Sequence, residues 1–163
     1  MRDNLTAGPL SDGACDEIAN YLTAAERDLF YRFTYADQWH SYRVFRTLHE
    51  AGYNHPDLLT AALLHDIGKI HCPLSAWDRT LIVVGGGLFP ERAEVWGRGS
   101  VESWRRPFVA RAQHPAWGAE MAAEAGVRPT VVEIIRRHQD EIDGDESEED
   151  RLLIALQWAD DRN

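Results

Sequence analysis

The 163 residues carry 44% hydrophobic side chains with six tryptophans, which supplies one core without disulfide or metal staples and leaves little room for a second domain. Formal charge is −10, from 17 basic and 27 acidic residues, but eight of the acids fall between Asp140 and Asp150, where no Lys or Arg occurs; without them the balance is 17 − 19 = −2. A nearly neutral chain with one acidic run, expected to be a solvated loop, disfavours nucleic-acid binding, which works by neutralising phosphates with a basic face.

In chain order, Thr23 and Glu26 have capping-box spacing and open a helical segment to about residue 33. A second helix over 36–51, closed by Gly52, carries His40, Val44, Leu48 and Ala51 on one stripe, which puts His40 on the buried side. Pro56 suits the first position of a third helix that runs until Gly68, with His65 and Asp66 on its last turn. Residues 72–107 read as short helices and loops, with Gly85-Gly86-Gly87 as a flexible turn. Pro115 then opens a helix closed by Gly126, with His114 in the cap position, and Pro129 opens another containing Val131, Ile134, Ile135 and His138. A final helix over 148–161 carries Leu153, Leu156 and Asp160 on one line.

The apolar runs at 81–84 and 152–156 are far short of the roughly 20 residues of a membrane helix, and the first ten residues have no signal-peptide pattern. Cys15 and Cys72 are too few and too far apart for a disulfide framework or a cysteine zinc set. A reducing cytoplasm fits best. The Gly68-Lys69 pair is not a phosphate-binding loop, since Leu63 and Ile70 stand where Gly and Ser or Thr belong, and there is no H-E-x-x-H or C-x-x-C.

What remains is a set of imidazoles and carboxylates where polar groups ordinarily do not go. His40, His65, His138 and Asp160 lie on apolar stripes, Asp66 adjoins His65, and His114 caps a helix. An ionised carboxylate facing a core costs several kcal/mol unless it is paired or bound to a metal. Any one of these histidines alone reads as an ordinary hydrogen-bonded residue, as His49, His55 and His71 do; several on different helices imply one shared divalent cation.

The stretch Ala61-Ala62-Leu63-Leu64-His65-Asp66-Ile67-Gly68-Lys69 resembles the HD-domain superfamily of metal-dependent phosphohydrolases, in its HDIGK form. The rest of the pattern follows in order: His40 in His-Ser-Tyr-Arg-Val, His114 in Gln-His-Pro, His138 in Arg-Arg-His-Gln and Asp160 in Trp-Ala-Asp-Asp. The resemblance implies an all-α, single, compact multi-helix bundle spanning 1–163, with its motif-bearing core at about 36–161. It implies His40, His65, Asp66 and Asp160 as ligands of one metal. Asp66 would bridge to a second metal, for which His114 and His138 occupy the ligand places. Asp161 leaves the last ligand ambiguous by one position. Lys69 looks like the lysine beside the scissile phosphate, and Arg43, one turn after His40, is either a second phosphate contact or an exposed helix arginine.

The implied activity is phosphohydrolysis of a phosphomonoester, nucleotide or phosphodiester by a metal-activated hydroxide, with Asp66 and Lys69 central to catalysis. One or two divalent transition ions, Mn, Fe, Co, Ni or Zn, suit the donors. The partner is a small phosphorylated substrate rather than a membrane or a nucleic acid. A di-iron oxygenase and a non-catalytic metal- or ligand-binding regulatory domain are the alternatives. The chain departs from the cyclic-dinucleotide phosphodiesterase branch, which has a doubled histidine and a Gly-Tyr-Pro motif where His138-Gln139-Asp140 stands.

Overall fold

The computed structural model describes residues 7–142 and 147–163, which fold as nine α-helices, one 3-10 turn and no strand among the described residues. The helices are α1 (Asp12–Ala19), α2 (Ala24–Phe30), α3 (Tyr35–Glu50), α4 (Pro56–Leu64), α5 (Ala76–Leu88), α6 (Pro90–Gly97), α7 (Arg106–Glu124), α8 (Pro129–Arg137) and α9 (Glu148–Asp160), with the 3-10 turn over Ile67–His71. No helix is long and apolar enough to cross a membrane among these residues. Both cysteines are free thiols.

Local signals set most of the boundaries. The Thr23 side chain accepts from the Glu26 amide while Glu26 reaches back to the Thr23 amide, the reciprocal cap that the spacing predicts. That helix ends at Phe30, three residues early, and Phe33 closes a turn by donating its amide to the Phe30 carbonyl. Thr34 caps α3, Gly52 follows its end at φ 89°, and Pro56 and Pro129 each stand at a helix start.

Helix α4 is the axis of the molecule. Every residue from Leu58 to Leu64 is buried, because α2, α3, α8 and α9 surround it. Phe45 and Leu48 of α3, Ile134 and Ile135 of α8 and Leu153 and Leu156 of α9 are buried with it in one core. Burying a side chain of this size contributes roughly 1.5–3 kcal/mol.

Three expectations are corrected. Helix α4 stops at Leu64 rather than Gly68, so His65 is its cap residue and Asp66 sits between it and the 3-10 turn. Pro115 does not open a helix: it lies inside the 19-residue α7, and His114 is a mid-helix residue rather than a cap. Gly85-Gly86-Gly87 is the last part of α5 and not a turn, held helical because Gly85 rests on the Phe108 ring, where a Cβ would come within 2.5 Å of Cζ. The end of the acidic run is helical, as the expected final helix from Glu148 requires: Glu148, Glu149 and Asp150 form the first turn of α9, where negative charge suits the helix dipole, whereas residues 143–146 and 1–6 lie outside the described residues.

Candidate metal centre

The site forms where the end of α4 meets α3, α7, α8 and α9. Helix α7 can press its backbone against the 3-10 turn only because Gly68 and Gly118 face each other. A Cβ on Gly68 would stand 2.0 Å from the His114 carbonyl oxygen, and one on Gly118 would stand 3.1 Å from the Gly68 nitrogen. That close approach sets Asp66 beside His114.

Six side chains converge. His40 Nε2 lies 2.9 Å from Asp160 Oδ1, and His65 Nε2 lies 3.6 Å from the same oxygen and 3.4 Å from Asp66 Oδ2. On the other side, Asp66 Oδ1 is 3.2 Å from His114 Nε2 and 3.7 Å from His138 Nε2. The two oxygens of one carboxylate therefore divide the cluster. One group is His40, His65 and Asp160, the other Asp66, His114 and His138, and within each the candidate ligand atoms lie within 4.8 Å of one another. Asp160 rather than the exposed Asp161 faces the centre.

The backbone fixes the tautomer of three imidazoles. His65 Nδ1 donates to the Ala62 carbonyl at 3.0 Å, and His138 Nδ1 to the Ile135 carbonyl at 2.7 Å. His114 Nδ1 is shared between the carbonyls of Ala110 at 3.0 Å and Arg111 at 2.9 Å. A carbonyl only accepts, so each Nδ1 carries the hydrogen, and in the neutral ring, the form that binds a metal, each Nε2 presents a lone pair. Pro115 explains the second acceptor for His114: it has no N–H to give the Arg111 carbonyl, four residues earlier, and leaves it free for the imidazole.

These lone pairs test whether a cation fits. His114 Nε2 and His138 Nε2 face each other at 3.1 Å, and neither has a hydrogen to offer the other. His65 Nε2 is buried with no hydrogen-bond partner. Nitrogen lone pairs and two carboxylates turned inward, with the rings of His65, His114 and His138 anchored through their other nitrogen, match the donor chemistry of a transition-metal site and the hydrogen bonds that orient its ligands.

Titration behaviour carries the same imprint. Burial opposes a charge on His65, yet the Asp66 and Asp160 carboxylates outweigh it and raise its pKa to about 10. Burial, reinforced by the positive His65, pushes His138 down to about 3. Asp66 and Asp160 both stay well below the ordinary carboxylate range, because the surrounding cations and imidazoles overcome the cost of burial. Without a metal, a proton on His65 takes a cation's place.

The remaining sequence candidates divide. Lys69 Nζ pairs with Asp66 Oδ2 and its side chain is 38% exposed, so it forms the rim of the site. Arg43 is half-buried and has no side-chain hydrogen bond or ion pair to the cluster among the described residues. His49 stacks on Phe45 beside the Tyr21 hydroxyl, His55 caps α4, and His71 lies edge-on to Trp117. Two supporting residues escaped the sequence reading: Gly118, and Gln157, whose amide donates to the carbonyls of His138 and Asp140 and ties α9 to the end of α8. Nothing in their own segments marks them, since each acts on a partner distant in sequence.

The HD-domain family model matches residues 39–162, from the residue before His40 to beyond Asp160. The chain belongs to the HD-domain family. Members of this family are mostly metal-dependent phosphohydrolases. No curated protein and no solved structure matches the chain.

Proposed function

We propose that the protein is a phosphohydrolase acting on a small phosphorylated substrate, a phosphomonoester, nucleotide or phosphodiester, within a single HD-type domain. The observation that carries this reading is the pair of inward-facing donor groups divided by Asp66, with a primary amine, Lys69, at their open edge. His40, His65, Asp66 and Asp160 would hold one ion, and Asp66, His114 and His138 a second. Bound there, a divalent transition metal supplies Lewis acidity toward a phosphoryl oxygen and acidifies water.

The chain's own groups do the rest. Lys69 binds a non-bridging phosphate oxygen and takes up its developing charge, and Arg43 supplies a second cationic contact one turn along α3 from His40. The Nδ1 bonds of His65, His114 and His138 hold the rings in place, so no reorientation is needed as charge develops. The apolar shell around His65, Asp66, His114 and His138, all buried, keeps bulk water from screening these interactions.

The test is a phosphatase and phosphodiesterase substrate panel on metal-loaded protein. Asp66→Ala should lose metal and turnover while retaining its helical content, whereas Lys69→Ala should keep the metal and lose turnover by about 10²–10³-fold. Full activity in the first variant, or metal loss in the second, contradicts these roles. The four-imidazole, two-carboxylate donor set also suits iron, which makes a di-iron oxygenase the second reading. Substrate turnover that requires both iron and dioxygen would select it.

A further inference from the structure

Helix α5 is apolar and yet barely covered. None of its described side chains is buried, and no charged residue occurs between Arg79 and Glu91. Its inner side rests on α6 and α7, with Gly85 against the Phe108 ring. Its outer side presents Trp77, Leu81, Val84 and Leu88, spaced by three or four residues and so on one face; Trp77 is 79% and Leu88 67% exposed. Phe89, half exposed, follows between α5 and α6, with the Arg92 guanidinium 5.7 Å from its ring. A surface helix normally turns its polar side outward, and α5 does the reverse.

We propose that the outer face of α5 is a homodimer interface, seating the same face of a second copy across a two-fold axis. The area is suitable: these five residues expose roughly 600 Å², at the upper end of the largest patch of a typical monomer and three quarters of the ~800 Å² each partner contributes to a standard interface. Composition agrees, since homodimer interfaces are more apolar than ordinary surface and depleted in charge at their centre. Charge favours the same place: the acidic residues Asp140 and Glu148–Asp150 belong to the α8–α9 end, while α5 packs on α6 and α7, so two copies with a charge of −10 each can meet away from those acids, with the ion-paired Asp78 and Arg79 and the Arg92 guanidinium over the Phe89 ring at the margin of the face. A lipid surface is the weaker occupant. Helices that lie on membranes carry several Lys or Arg on their polar face, whereas α5 has one basic residue, Arg79, already 3.7 Å from Asp37.

Sedimentation velocity of the full chain over a concentration series tests this. The wild type should approach 37 kDa (2 × 18.5), and Leu81→Glu/Leu88→Glu, two exposed sites, should remain monomeric with unchanged helical content. Amide exchange within α5 should slow as wild-type concentration rises, a readout that does not depend on the variant folding. A wild type that stays monomeric throughout, or a dimer that survives the double substitution without slower exchange in α5, overturns the proposal. So does a monomer that floats with phosphatidylcholine vesicles, which would assign the face to lipid.

Discussion

Asp66 gives one oxygen to each half of the cluster, and His65 answers it with a nitrogen that has no hydrogen-bond partner. The raised His65 pKa gives this geometry a measurable consequence. In metal-free protein the charged imidazole is favoured by folding, so its stabilisation is fully present below pH 6.5 and is lost as pH rises through about 10. His138 runs the other way: depressed to about 3, it favours the fold above pH 6.5 and loses that contribution as pH falls toward 3. A metal and a proton compete for His65 Nε2, so affinity should rise about tenfold per pH unit between pH 7 and 9, with about one proton released per protein. Titration calorimetry in buffers of different ionisation enthalpy measures that release. No proton release at pH 8 would mean that His65 is not a ligand. At this scale the sequence was informative, because His40, His65, His138 and Asp160 are polar interruptions of apolar stripes. The carbonyls of Ala62, Ala110 and Ile135 that set the tautomers were not legible, since every residue has one.

Among the elements, the seam between α7 and the 3-10 turn decides how close Asp66 comes to His114. Intrinsic preference says Gly68→Ala should help a helical turn by up to about 1 kcal/mol. The packing says the opposite, since the new Cβ would meet backbone atoms of α7 that cannot swing away. We expect Gly68→Ala to destabilise the protein by about 3 kcal/mol or more and to weaken metal binding. Gly118→Ala should cost less, because its closest backbone contact, the Gly68 nitrogen, stands at 3.1 Å rather than 2.0 Å, and the methyls of Ile135 and Ile67 at 3.2 and 3.3 Å have some freedom to shift. Urea denaturation and metal titration of both variants check the order; an unimpaired Gly68→Ala would refute the seam. The same elements mark where pattern reading failed. Proline at a helix start is the common case, and Pro115 looked like one because nothing local reveals that His114 occupies the carbonyl it frees. The three glycines of α5 read as a turn because the packing that involves them is distant in sequence: Gly85 rests on Phe108, more than twenty residues away.

Across the whole molecule, α4 places His65 and Asp66 at the centre of the helical bundle, and α3, α7, α8 and α9 each turn one imidazole or carboxylate toward them. The all-helical fold was legible because helical periodicity recurs along most of the chain, and the ordered His and Asp motifs, spread across it, pointed to the family. The relation between the two histidines after the His-Asp pair was not legible, since only packing α7 against α8 brings His114 and His138 within 3.1 Å. That contact leads to the central claim, two metal ions sharing Asp66. Metal content of protein saturated with Mn or Fe and then freed of excess ion tests it most directly. Wild type should hold two equivalents and a His114→Ala/His138→Ala variant one, with His40, His65, Asp66 and Asp160 still in place. One equivalent in the wild type, or two in the double variant, would contradict it.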